Sequence, residues 1–136
     1  MTLERLARTD VVTVGVDAPI DEIVETMRTH NVGSVVVVDG ESPRGIVTDR
    51  DLVLYAMDGE ASLTARNVMA EDLFTVDVDS DVFTVISEMD ERKVRRVPVL
   101  ENGRLVGIVT LDDFVGLLAA ELEKLAAIIE AESPRQ

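Results

Sequence analysis

The chain has 136 residues and a formal charge of −14, from 27 acidic and 13 basic side chains. At 46% hydrophobic and 29% charged it has the composition of a packed domain, not of a disordered segment. Zero cysteines exclude a disulfide framework, a thiolate metal site and a cysteine nucleophile. No apolar run approaches the roughly 18 residues of a membrane span, and Met1-Thr-Leu-Glu-Arg-Leu lacks the layout of a secretion signal. So acidic a surface repels nucleic acid and anionic lipid, and a cytoplasmic protein with neither as partner is the expectation.

In chain order, the β-branched run Val11–Val16 reads as a first strand. Ala18-Pro19 then starts a helix, with proline at its first position. Along that helix Ile20, Ile23, Val24 and Met27 form one buried stripe at i, i+3, i+4 and i+7. Val35–Val38 is a second strand, Asp39-Gly40 a turn, Gly45–Thr48 a third strand, and Asp49 to about Met57 a second helix. Asp58–Ala65 reads as a linker.

The same order then repeats. Leu73–Val78 is a strand, and Ser80-Asp81 starts a helix with Ser80 as its cap and Val82, Val85, Ile86 and Met89 as its stripe. Val97–Leu100 and Val106–Thr110 are strands flanking an Asn102-Gly103 turn, and a long helix starts at Asp112. Shifted by 62 positions, Asp10–Val53 falls on Asp72–Val115 without a gap, with 15 of 44 pairs identical. Composition alone would give about 4, so the chain is a duplication. A β-α-β-β-α unit of this size cannot cover both faces of its own sheet, and two copies packed together can.

These residues resemble a known family. The duplicated unit, the Gly45-Ile-Val-Thr-Asp-Arg-Asp and Gly107-Ile-Val-Thr-Leu-Asp-Asp motifs and Arg96-Val-Pro-Val are similar to the CBS (cystathionine beta-synthase) domain, over about residues 5–120. The resemblance implies an α/β (α+β) fold of two CBS units in pseudo-twofold symmetry, the tandem arrangement called a Bateman module. The units are expected at residues 5–57 and 67–120, joined by a linker at 58–66, with a helical extension and tail at 121–136. It further implies a stand-alone, non-catalytic regulatory module that binds an adenosyl ligand (AMP, ADP, ATP, NAD or S-adenosylmethionine) between the units. No cofactor is required. A homodimer and a regulated protein of unknown identity are the implied partners.

Site residues follow from the motifs. Thr48 and Asp51, and likewise Thr110 and Asp113, lie at the first turn of a helix, where free amides and the dipole favour phosphate. A threonine hydroxyl donates to phosphate, and a carboxylate accepts both hydroxyls of a ribose diol; the resemblance assigns these roles to Thr48, Thr110, Asp51 and Asp113. The same Thr-x-x-Asp spacing is also a near capping box, a purely structural alternative. Arg92-Lys93-Val94-Arg95-Arg96 is a basic island, either a Glu-paired surface patch or a phosphate contact through Arg95 or Arg96. Arg50 is a further phosphate candidate, whereas Arg44 reads as solvated. By family analogy the adenine walls are Val12, Thr13 and Val14 with Val32, Gly33 and Ser34, and Phe74, Thr75 and Val76 with Val94–Arg96; plain core is the alternative.

The copies differ, because neutral Gly33-Ser34 stands where the other has Arg95-Arg96, and Val36 where the other has Pro98. Unequal clefts are therefore expected, with the one using Asp113 and the basic island favoured. His30, the sole histidine, reads as a helix-end surface residue, not a metal ligand. Leu118, Leu122, Leu125 and Ile129 step 4-3-4 along the last helix, either to pack on a second subunit or to fold back. The competing function is a ligand-free dimerisation adaptor. An enzyme is disfavoured, for want of a nucleophile–base pair or a glycine-rich phosphate loop. Scarce lysine and strong acidity resemble proteins that work in molar salt, with an ordinary acidic domain as the alternative.

Overall fold

The computed structural model describes residues 1–57 and 63–132. The first half contains β1 (Thr13–Gly15), α1 (Ile20–His30), β2 (Ser34–Asp39), β3 (Ser42–Thr48) and α2 (Asp49–Met57). A short helix α3 (Ala65–Val68) leads into β4 (Val76–Asp77), α4 (Val82–Arg92), β5 (Arg96–Glu101), β6 (Arg104–Thr110) and α5 (Leu111–Glu132). Both halves are thus β-α-β-β-α, each with one sheet, in the orders β1-β2-β3 and β4-β5-β6. The first two strands of each sheet are parallel and the last two antiparallel. Asn102 and Gly103, both at positive φ (54° and 80°), make the two-residue turn whose twist matches the β5–β6 hairpin.

Local chemistry shifts several expected boundaries. Asp81, not Ser80, caps α4, its carboxylate accepting from the Phe83 and Thr84 amides at 3.1 and 3.2 Å. Pro19 is the extended cap of α1, not its first helical residue. Val24 is 36% exposed, so the buried side of α1 narrows to Ile23 and Met27. The first strands are shorter than their valine runs, and β4 is shorter than β1 for a definite reason. In the first copy the Val36 amide donates to the Val12 carbonyl at 3.0 Å. Pro98, its counterpart, has no N–H, so the β4–β5 register starts one pair later, at Val76 opposite Val99.

The two cores are built by exchange. Leu3 is fully buried in the second core, among Val82, Val85, Val97, Val99 and Phe114, with Leu6 and Ala7 beside it. Reciprocally, Ala65 and Val68 of α3 lie in the first core with Val14, Ile23, Val35 and Val47. Each copy's leading segment therefore packs in the other copy. Of the expected linker 58–66, residues 58–62 lie outside the described residues; Thr64, Ala65 and Arg66 begin α3, where the Thr64 amide donates to Asn67 Oδ1 at 2.9 Å. The C-terminal extension is helical to Glu132, and Leu122 and Leu125 on it are 65% and 56% exposed, so these two are not covered by the described part of the chain.

The crossing points explain the two motif glycines. The Arg8 amide donates to the Ile108 carbonyl and the Ile108 amide to the Arg8 carbonyl, both at 3.0 Å; Ala70 and Ile46 make the equivalent pair at 3.0 and 3.4 Å. A Cβ on Gly107 would lie 2.8 Å from the Arg8 carbonyl oxygen, and one on Gly45 2.7 Å from that of Ala70. Backbone must give way there. We expect Gly45→Ala and Gly107→Ala each to lower unfolding free energy by about 1–3 kcal/mol in urea titrations. Gly116→Ala in α5, with nothing within 4 Å, should be neutral or stabilising by up to about 1 kcal/mol.

Candidate functional site

Exchange of the leading segments decides which residues meet. Along β6 the side chains of Ile108 and Thr110 share one face, as do Ile46 and Thr48 on β3. The segment running past β6 is Arg8–Val12, from the first copy, and the one running past β3 is Ala70–Phe74, from the second. A cavity of about 350 Å³ therefore combines Ile108, Thr110, Asp112 and Arg96 with Arg8, Asp10, Val12, Val32, Gly33 and Ser34. A smaller one, about 250 Å³, combines Ile46 with Ala70, Asp72, Phe74, Val94, Arg95 and Arg96. Of these two clefts, the first alone reaches the roughly 300 Å³ usual for small-molecule sites.

The clefts are thus crossed, which corrects the favoured pairing of Asp113 with the whole basic island. Thr110 shares a cavity with the first copy's walls, while Arg95 opens on the other one; Arg96 borders both. Among the described residues no glutamate pairs with the island. Lys93 binds Asp90 at 2.6 Å, a hydrogen bond and charge that hold the Asp90 carboxyl below its ordinary range. Arg92 lies over the Phe74 ring, 4.5 Å from its centroid, on an aromatic face expected for adenine.

Of the expected adenine walls, Val12, Val32, Gly33, Ser34, Phe74 and Val94 border a cavity. Val14 and Val76 do not; they are core residues, 6% and 8% exposed, because strand alternation turns them inward. Thr13 is exposed and Thr75 half-buried, and neither borders the two cavities. Arg50 is exposed on α2, away from both. His30 ends α1 with Nδ1 3.0 Å from the Thr26 carbonyl oxygen.

Both Thr-x-x-Asp motifs are capping boxes. The Thr48 amide donates to Asp51 Oδ2 at 2.9 Å and the Asp51 amide to Thr48 Oγ1 at 3.2 Å. Thr110 and Asp113 repeat this at 2.9 and 3.3 Å. The first turn of α2 does not offer the free amides expected for phosphate, whereas in α5 the Asp112 amide, beside the larger cavity, has no partner among the described residues. The Asp49 amide is taken by the Gly33 carbonyl (2.9 Å), the Arg50 amide by Asp49 Oδ1 (2.8 Å) and the Leu111 amide by the Arg95 carbonyl (2.7 Å). Yet the box consumes only acceptor capacity of each threonine, leaving its hydroxyl proton to donate, and only one oxygen of each aspartate.

The remaining oxygens differ. Asp113 Oδ1 accepts from Arg8 Nε at 3.0 Å and pairs with Nη2 at 2.8 Å, with the Asp113 side chain 7% exposed and Arg8 63%. At the corresponding place in the other cleft stands Ala70, which cannot pair with Asp51. Sequence reasoning missed Arg8, since it precedes the repeated stretch; its basic charge two residues before Asp10 was the available signal.

Residues 3–58 and 65–120 each match the CBS domain model. A protein of Methanopyrus kandleri is 35% identical over 120 residues, covering 85% of this chain and 61% of that protein. Hypoxic response protein 1 of Mycobacterium tuberculosis is 30% identical over 116 residues, covering 82% and 81%. Among solved structures, the CBS domain pair of protein MJ0100, in complex with 5′-methylthioadenosine and S-adenosyl-L-methionine, superposes with a TM-score of 0.78 at 24% identity, covering 89% of this chain and 98% of that one, and so shares the fold. A duplicated unit, cores closed by exchanged segments and a family match over each half lead to one conclusion: the chain belongs to the CBS-domain family, as a tandem CBS pair.

Proposed function

We propose that this chain is a non-catalytic regulatory module that binds an adenosyl ligand between its CBS units and reports the ligand's level to a partner protein. The observation that carries the reading is the cavity of about 350 Å³ at the crossing of the units. It has apolar walls (Val12, Val32, Val36, Ile108), a threonine at a helix start (Thr110) and two guanidinium groups (Arg8, Arg96). Apolar walls suit a purine, and the polar end suits a sugar phosphate. The adenosyl compounds bound by the CBS pair of MJ0100 support the ligand class. In this reading Thr48, Thr110, Arg95 and Arg96 contact phosphate and Asp51 and Asp113 the ribose, each carboxylate held in aim by its capping box. A ligand shifts the arrangement of the units only as far as it binds one arrangement better.

Isothermal calorimetry with AMP, ATP, NAD and S-adenosylmethionine is the test: micromolar-range binding of at least one is expected, and no heat from any of the four would remove the reading. Substitution then separates ligand contact from capping. Asp51→Asn keeps an oxygen to cap the helix, so unfolding free energy should change by less than about 1 kcal/mol. Asp113→Asn also loses the Arg8 pair and should cost about 1–3 kcal/mol. Nucleotide affinity should fall about 10-fold or more, through loss of a charged acceptor for the diol. Unchanged affinity in both variants would leave only the structural role.

Homodimerisation is part of the same proposal, supported by exposed apolar side chains on α2 and α5: Val53 (59%), Leu54 (52%), Met57 (79%) and Val115 (57%). It also favours the second reading, an adaptor that needs no ligand. Leu54→Glu with Val115→Glu should convert a dimer to a monomer in sedimentation analysis, with helical content unchanged.

A further inference from the structure

The geometry points to Arg8 as the residue that sets the ligand class of the larger cleft, admitting nucleoside phosphates and refusing uncharged nucleosides; the inference rests on the nucleotide reading above. Arg8 reaches Asp113 across the junction between the copies, with Nε and Nη2 both on Oδ1 at 3.0 and 2.8 Å. Thr110 already holds Oδ2 through its amide at 2.9 Å. Both oxygens of the one aspartate suited to a ribose diol here are therefore engaged before any ligand arrives.

A neutral nucleoside that seeks Asp113 must displace the guanidinium and offers it nothing in return. A phosphorylated one supplies a new partner: phosphate oxygens accept the same two N–H groups in a planar fork, freeing Oδ1 for the sugar. Arg8 thus exchanges one anion for another. The local charges sharpen the dependence. Asp10 and Asp112 border this cavity, and Arg8 and Arg96 are its basic residues. Without Arg8, the cavity's two carboxylates (Asp10 and Asp112) would outnumber the one guanidinium of Arg96, Asp113 would lose its ion-pair partner, and a phosphate would be held less strongly. The smaller cleft has Ala70 in the place of Arg8, so Asp51 carries no such latch and that cleft does not discriminate in this way.

The test is calorimetry with AMP and with adenosine, on the full chain carrying Asp51→Asn so that the heat reports the Arg8 cleft. With Arg8 present, AMP should bind at least about 10-fold more tightly than adenosine. Arg8→Gln should weaken AMP by about 10- to 100-fold while leaving adenosine within about 3-fold, or tighter. Arg8→Lys, which keeps charge but not the fork, should restore part of the AMP affinity. The exposed Arg8 side chain makes misfolding a minor concern, and thermal melts of both variants should match the parent within a few degrees. Equal binding of AMP and adenosine with Arg8 present, or an equal loss of both on Arg8→Gln, would overturn the role of Arg8 while sparing the nucleotide reading. Absence of heat from AMP with the unaltered chain would overturn the role of Arg8, and the nucleotide reading falls with it only if ATP, NAD and S-adenosylmethionine are silent as well.

Discussion

Neither half of this protein closes its own core. A three-stranded sheet with two helices leaves part of its apolar surface to be covered, and the cover comes from the segment that precedes the other half. Leu3 is fully buried among the second copy's valines, and Ala65 and Val68 among the first copy's. Burying a leucine side chain is worth about 1.5–3 kcal/mol, so the exchange ties the two units into one folding problem. The Gly-Ile-Val-Thr motifs are read in this light: the glycine gives passage to foreign backbone, the isoleucine pairs with it, and the threonine caps the helix that follows.

The exchange also makes the clefts. Because each leading segment runs along the other copy's third strand, the apolar residues just ahead of β1 and β4 are carried to the helix start of the opposite copy. A site built this way has walls from one unit and a polar end from the other. Any ligand that fills it must contact both, which is the geometric requirement for a small molecule to bias the arrangement of two units.

Duplication did not leave the clefts equal. The proline of strand five removes one amide and shortens the ladder beside it, an arginine stands at one crossing where alanine stands at the other, and the basic island opens chiefly on the smaller cavity. Against a chain charge of −14, these few cations decide where an anion can rest. The capping boxes show that structural and ligand-directed readings of Thr-x-x-Asp are not exclusive. A carboxylate has two oxygens, and one suffices to cap a helix.

The architecture was legible in the sequence because it rests on periodicity and repetition: helix stripes such as Ile23 and Met27, valine strands, turn residues and the 62-residue offset are local or self-referential. The capping-box alternative could be read for the same reason, since its four residues are adjacent in the chain. The partners across the clefts could not. Same-copy walls are the natural expectation when residues lie near each other in sequence, and only the path of the leading segments shows that Thr110 meets Val12 and Val32 rather than Phe74. Whether a valine faces core or cleft was equally closed to inspection: Val12 and Val14 are alike in sequence, yet Val12, just ahead of β1, packs on the edge of the core and borders the cavity, while Val14 lies inside the core. Arg8 and Asp113 are 105 positions apart, and no local rule joins them; their ion pair exists because two backbones cross where a glycine lets them.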